Sequence, residues 1–154
     1  KNLSVYGERA GALSLVCVDA AQAELALGQL KATVRRNYSS PGIHAAGIVS
    51  RVLTDPALRA SWERDVATMR ERIHAMRRQL HAVLAQRLPG RNFDYFLTQR
   101  GMFSYTGLTA AQVDQLRDDH AVYLVRSGRM CVAGLTSTNV ARAAEAFATI
   151  LSRD

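Results

Sequence analysis

One periodic run constrains this chain more than any other feature. Leu58, Trp62, Val66, Met69, Ile73, Met76, Leu80, Leu84 and Leu88 follow one another at steps of three or four, the spacing that lines one face of an α-helix. Asp55-Pro56 opens the run, with Asp as N-cap and Pro at the first helical position, and Pro89-Gly90 stops it. About 33 residues at a rise of 1.5 Å each make a rod of roughly 50 Å. Such a rod outruns a small domain, so it enters a coiled coil or bridges two lobes.

The segments on either side differ in kind. Upstream, Leu13 to Val18 (LSLVCV) is expected as a buried strand ended by Asp19. A helix is predicted from Ala20 to about Arg35, with Leu25, Leu27, Leu30 and Val34 at helical spacing. Asn37 to Gly42 (NYSSPG) breaks it as a loop, and a short helix is expected from Ile43 to Leu53. Downstream, strands are expected at Phe93 to Leu97, Met102 to Tyr105, Val122 to Val125 and Met130 to Ala133. Thr109 caps a helix running to about Asp118, and Thr138 or Asn139 opens a last one to about Ser152. The downstream half therefore reads as a small α/β lobe.

Composition removes several classes. With 48% hydrophobic residues a packed core is expected, and no apolar run reaches the length of a membrane span. There is no charged-then-apolar leader pattern, and the expected compartment is the cytoplasm. Cys17 and Cys131 sit in apolar runs and are expected as small, reduced core residues. The chain carries 20 basic residues, of which Lys1 and Lys31 are the lysines, leaving 18 arginines and a formal charge of +7. On the long helix Arg59, Arg64, Arg70, Arg72, Arg77, Arg78 and Arg87 alternate with Glu63, Asp65 and Glu71, a pattern expected of a solvated face with intrahelical pairs. No basic and aromatic alternation suggests stacking on single-stranded nucleic acid.

Self-contained catalytic motifs are missing: there is no P-loop, GxGxxG, HExxH, GxSxG or CxxC. His44, His74, His81 and His120 are scattered without a metal-ligand cluster, and Ser104 and Ser127 have no evident base. Three arginines stand at loops or element ends: Arg9 in YGERAG, Arg35 before NYSSP and Arg129 in SGRMCVAG. Separate guanidinium forks held by turns suit a small ligand with two anionic groups. Among 18 arginines, chance supplies as many, so the spacing alone decides nothing.

Longer words add to this. KNLSVYGERAGALS, LKATVRRNYSSP, LRASWERDVATMRERI, RNFDYFLTQRGMFSYTGLTAAQVDQLR and VYLVRSGRMCVAGL, in order along the whole chain, resemble the C-terminal part of the class I, pyridoxal-phosphate-dependent aminotransferases. RRNYSSP, FSYTGL and SGRMCVAGL are more similar to bacterial aromatic-amino-acid (tyrosine) aminotransferases than to aspartate aminotransferases. The resemblance implies an α/β fold of the aspartate-aminotransferase type. Residues 1–42 would end the large cofactor domain, 43–90 would form interdomain helices with the long connecting helix, and 91–154 would be most of the small domain.

It also implies roles. Lys1 matches the lysine that bonds covalently to pyridoxal 5'-phosphate and moves the α-proton. Arg9 matches the arginine on the cofactor phosphate, and Arg129 the arginine on the substrate α-carboxylate. Arg35 matches the one that reaches across a homodimer to the distal carboxylate of dicarboxylic substrates, with Tyr38 and Ser39 beside it on the intersubunit loop. Phe103 matches an aromatic wall near the substrate. The implied activity is amino transfer from tyrosine or phenylalanine, with aspartate a further substrate, to a 2-oxo acid such as 2-oxoglutarate. The chain alone, lacking the carboxylate for the pyridinium nitrogen and most of the phosphate cup, is expected to be inactive. The sequence departs from the family at Pro41-Gly42, at His120-Ala121 where Phe-Gly is frequent, and at Arg126, usually a small residue. A different class remains as the alternative: a non-catalytic helical interaction domain whose basic helix binds nucleic acid or an acidic protein.

Overall fold

The computed structural model describes residues 2–153. The chain divides into two compact units, Lys1–Arg64 and Asp65–Asp154.

In the first unit a 3-10 turn, Asn2–Ser4, is followed by irregular chain and then helix α1, Ala20–Tyr38. Asp19 caps α1, its carboxylate accepting from the Gln22 amide at 2.8 Å. The helix runs through Arg35 to Tyr38, so the expected loop is shorter at its start than the turn residues suggest. Helix α2, His44–Thr54, holds Ala45, the one buried residue among the described part of this unit. LSLVCV is not a strand: Val16 and Val18 are exposed and Cys17 is only half-buried. A strand requires a neighbour for its N–H and C=O groups, and no described strand lies in this unit.

Helix α3, Pro56–Arg87, begins in the first unit and ends in the second. Its N-cap is as expected, with Asp55 accepting from the Ala57 and Leu58 amides at 3.0 and 3.2 Å. Its apolar face is used unevenly. Met76, Leu80 and Leu84 are buried, whereas Met69 is 51% exposed.

The second unit contains the core. Leu80 and Leu84 of α3 meet Phe96, Leu116, Val132, Phe147 and Ile150 there. Phe96 comes from α4, Tyr95–Thr98, a helical turn where a strand was expected. Asn92 starts that turn by accepting from the Asp94 amide at 2.7 Å. Strands β1, Phe103–Tyr105, and β2, Arg129–Cys131, pair antiparallel with Phe103 opposite Cys131 and Tyr105 opposite Arg129. Helix α5, Ala110–His120, lies between them, capped by Thr109 with the reciprocal Gln112 bond, and α6, Val140–Leu151, closes the chain. Val122 to Val125 forms no strand; Val125 N–H donates to Arg129 O at 3.3 Å, and its carbonyl accepts from the Gly128 N–H at 2.8 Å. Val132 and Ala133 turn into a 3-10 helix instead of extending β2. Cys131 is exposed and not part of the core, because alternation along β2 turns Met130 inward and Cys131 outward.

Candidate active site

The β1–β2 pair places two of the singled-out residues together. Both strands expose their outer residues and bury the middle one, so Phe103, Tyr105, Arg129 and Cys131 share the outward face. Across the ladder the Arg129 guanidinium lies over the Phe103 ring, 4.9 Å from its centroid, a cation–π contact. A concavity of about 230 Å³ opens there, lined by Phe103, Tyr123, Leu124, Val125, Arg129 and Cys131. A fixed cation over an aromatic wall at the mouth of a small cavity can orient a ligand carboxylate.

Local backbone chemistry fixes the turn that presents Arg129. Gly128 sits at φ +81°, and a Cβ there would stand 2.9 Å from Leu108 O and 3.3 Å from Thr106 Oγ1. Thr106 grips this glycine twice, donating to its carbonyl from Oγ1 at 2.8 Å and from the backbone N–H at 3.0 Å. The FSYTGL and SGRMC segments are thereby one structure.

Helix α3 supplies what the sequence did not reveal. Arg77, expected on a solvated face, is 2% exposed and donates four hydrogen bonds: Nη1 to Phe96 O and Ser104 Oγ at 2.9 and 2.6 Å, Nη2 to Gly101 O and Phe103 O at 2.9 Å each. Burial, with Arg100 nearby, holds its guanidinium below the ordinary arginine value. Arg72 donates to Leu135 O and Ala133 O, each at 2.6 Å, just past β2. Arg59 does pair with Glu63 at 2.9 Å, as a solvated face requires. A signal for Arg77 existed: it occupies the i+4 place after Ile73 inside the apolar stripe.

In the first unit, Arg35 lies in the last turn of α1 and its Nη1 donates to Ser39 Oγ at 2.6 Å. Ser39 ends the helix at φ 70°, and Tyr38 is exposed. Arg9, at φ 55°, is exposed and makes no ion pair among the described residues, because the neighbouring Glu8 carboxylate faces His44 at 3.0 Å. Lys1 lies outside the described residues. A larger cavity, about 580 Å³, follows α2 along Ile43, His44, Gly47, Ile48, Arg51 and Val52 and gathers none of the residues to which the resemblance gives a role. No cluster of three metal-ligating side chains occurs among the described residues, and no described helix is long and apolar enough to cross a membrane.

Known proteins resemble this chain over nearly its whole length. The family model for aminotransferase class I and II matches residues 1–147. The chain is 61% identical to the aromatic-amino-acid aminotransferase of Escherichia coli (strain K12) and 43% identical to the aspartate aminotransferase of the same strain, each over 151 residues, 98% of this chain and 38% of the relative. The aromatic-amino-acid aminotransferase from Burkholderia pseudomallei, solved covalently bound to pyridoxal phosphate, superposes with a TM-score of 0.85 at 47% identity, covering 96% of this chain and 37% of that one. The chain thus spans about two-fifths of the length of the relatives it matches, with the aspartate-aminotransferase type of α/β fold. From the motifs, the strand pair that joins them and these similarities together, the chain belongs to the class I and II aminotransferases.

Proposed function

We propose that this chain supplies the substrate-carboxylate part of a pyridoxal-phosphate-dependent aromatic-amino-acid aminotransferase. The observation that carries the proposal is Arg129 held over Phe103 on an outward face. Its fork takes the substrate α-carboxylate, and Phe103 walls the cavity. Arg35, tethered by Ser39, takes the distal carboxylate of a 2-oxo acid such as 2-oxoglutarate and swings aside for an aromatic ring. Tyr38, the last residue of α1, and Ser39 just beyond it face the second subunit of a homodimer. The higher identity to the aromatic than to the aspartate relative supports tyrosine and phenylalanine over aspartate as donors.

The donor set of the first unit fits the cofactor. Arg9 is exposed without an acidic partner among the described residues, as a phosphate ligand must be. Pyridoxal phosphate, when bound, supplies the electron sink for charge at the amino acid's α-carbon. Lys1 would hold it covalently, and its ε-amine, once displaced by the amine of the incoming amino acid, would be free to take the α-proton. Residues 1–42 belong to the cofactor domain, 43–90 to the connecting helices and 91–154 to the small domain. By itself the chain does not transaminate.

The test is a chimera in which residues 1–154 replace the matching segment of the Escherichia coli aromatic-amino-acid aminotransferase. It should transaminate tyrosine and phenylalanine with 2-oxoglutarate, and Arg129→Leu should lower kcat/KM about a hundredfold or more. An active chimera indifferent to Arg129→Leu would sink the assignment, and a strong preference for aspartate would sink the aromatic one.

A further inference from the structure

We propose that Arg77 is a positioning residue for the carboxylate site, holding β1 in the register that sets Phe103 under Arg129. The inference rests on the role of Arg129 proposed above.

The four acceptors of Arg77 bracket the passage from α4 into β1: Phe96 O ends on the helical turn, Gly101 O on the connection, and Phe103 O and Ser104 Oγ on the strand itself. No carboxylate pairs with Arg77 among the described residues, so backbone and hydroxyl dipoles alone hold its charge. As a means of filling a core position beside Met76 and Leu80, a buried guanidinium is inferior to an apolar side chain. What it adds is geometry: one rigid fork fixes four oxygens relative to α3.

That geometry reaches the outward face. In β1 Ser104 turns inward to Arg77 while Phe103 and Tyr105 turn outward. The Ser104 bond therefore selects which side chains the strand presents, since a one-residue slip would exchange the faces. Phe103 O, bonded to Arg77 Nη2, belongs to the residue whose ring lies 4.9 Å from the Arg129 guanidinium. Arg77, β1, Phe103 and Arg129 thus form a continuous chain of contacts. Bidentate capture of a carboxylate demands a set direction for the Arg129 fork, and small displacements forfeit it.

The chimera described above, carrying Arg77→Lys, Ser104→Ala or Arg129→Leu, tests this. KM and kcat for tyrosine, the Kd of glutarate by calorimetry and the thermal midpoint are measured on each. Arg77→Lys keeps the charge and loses the fork, so KM and the glutarate Kd should rise about tenfold with kcat within about threefold, the signature of lost binding common to ground and transition states. Ser104→Ala should move both constants the same way by about two- to threefold, and it decides the matter if Arg77→Lys does not fold. Unchanged KM and Kd in these variants, beside a lowered thermal midpoint and a raised Kd in Arg129→Leu, would show Arg77 to be structural only and overturn the inference alone. A glutarate Kd that Arg129→Leu leaves unchanged would overturn the carboxylate role of Arg129, and this inference with it.

Discussion

At the end of α5, His120 and Ala121 occupy places that suit other residues. His120 Nε2 is buried without a hydrogen-bond partner among the described residues, and Ala121 ends the helix in the left-handed region at φ 52°. The first condition leaves a polar atom desolvated, and the second brings Cβ against the backbone. These are the positions where the resembling family frequently has Phe-Gly, and both substitutions relieve a stated cost. His120→Phe and Ala121→Gly should each stabilise the chain by about 1 kcal/mol, read from urea midpoints at constant m-value. Gly128 is the opposite case: Gly128→Ala adds a left-handed penalty and the clash with Leu108 O, and should destabilise by about 2 kcal/mol or more. Tyr95 gives a pH-dependent test. Burial raises its phenol above the ordinary value, and its Oη donates to Thr106 O at 2.9 Å. The unfolded chain loses this proton first, so the folded state binds more protons above pH about 10. Its contribution is complete below that pH and is lost as the pH climbs through the raised folded value. The unfolding free energy measured from pH 8 to 11 should fall less steeply in Tyr95→Phe than in the parent.

At the scale of elements, α3 shows which parts of the fold were legible. Its start, its length and its stop follow from Asp55-Pro56, the apolar steps and Pro89-Gly90, because caps and periodicity are local properties. Which turns of its stripe are buried is not local. Leu80 is fully buried and Met69 is half exposed, yet both keep the same spacing. Leu80→Ala should therefore cost about 2–5 kcal/mol and Met69→Ala well under 1, a contrast that urea titration would resolve. The strands were the least legible elements. LSLVCV and Val122 to Val125 have strand composition but lack a ladder partner among the described residues, and pairing depends on distant chain. The candidate site divides in the same way. Arg129 is conspicuous in its loop, whereas its seat over Phe103 depends on a register that only the antiparallel pairing defines. Arg77 was hidden by its residue type, since a charge on a helix is ordinarily solvated.

At the scale of the whole molecule, burial is divided as the units are. The described core runs from Met76 to Ile150 within the second unit, while α1 buries no residue and Leu13, Val16, Val18 and Leu25 stand open to solvent. Backbone amides with no packed side chains over them open at little cost, whereas those of a packed helix open only with their unit. Hydrogen exchange of the chain by itself should find α6 protected by orders of magnitude and residues 13–18 scarcely protected. The chimera provides the second half of the comparison. If residues 1–42 belong to a cofactor domain, the same apolar segment is covered there, and its amides should become as slow to exchange as those of α6. Equal protection of residues 13–18 in the chain alone would contradict the burial described here. Fast exchange in an active chimera would instead refute the assignment of residues 1–42 to that domain, leaving the β1–β2 pair and its arginine to be judged on the substrate constants.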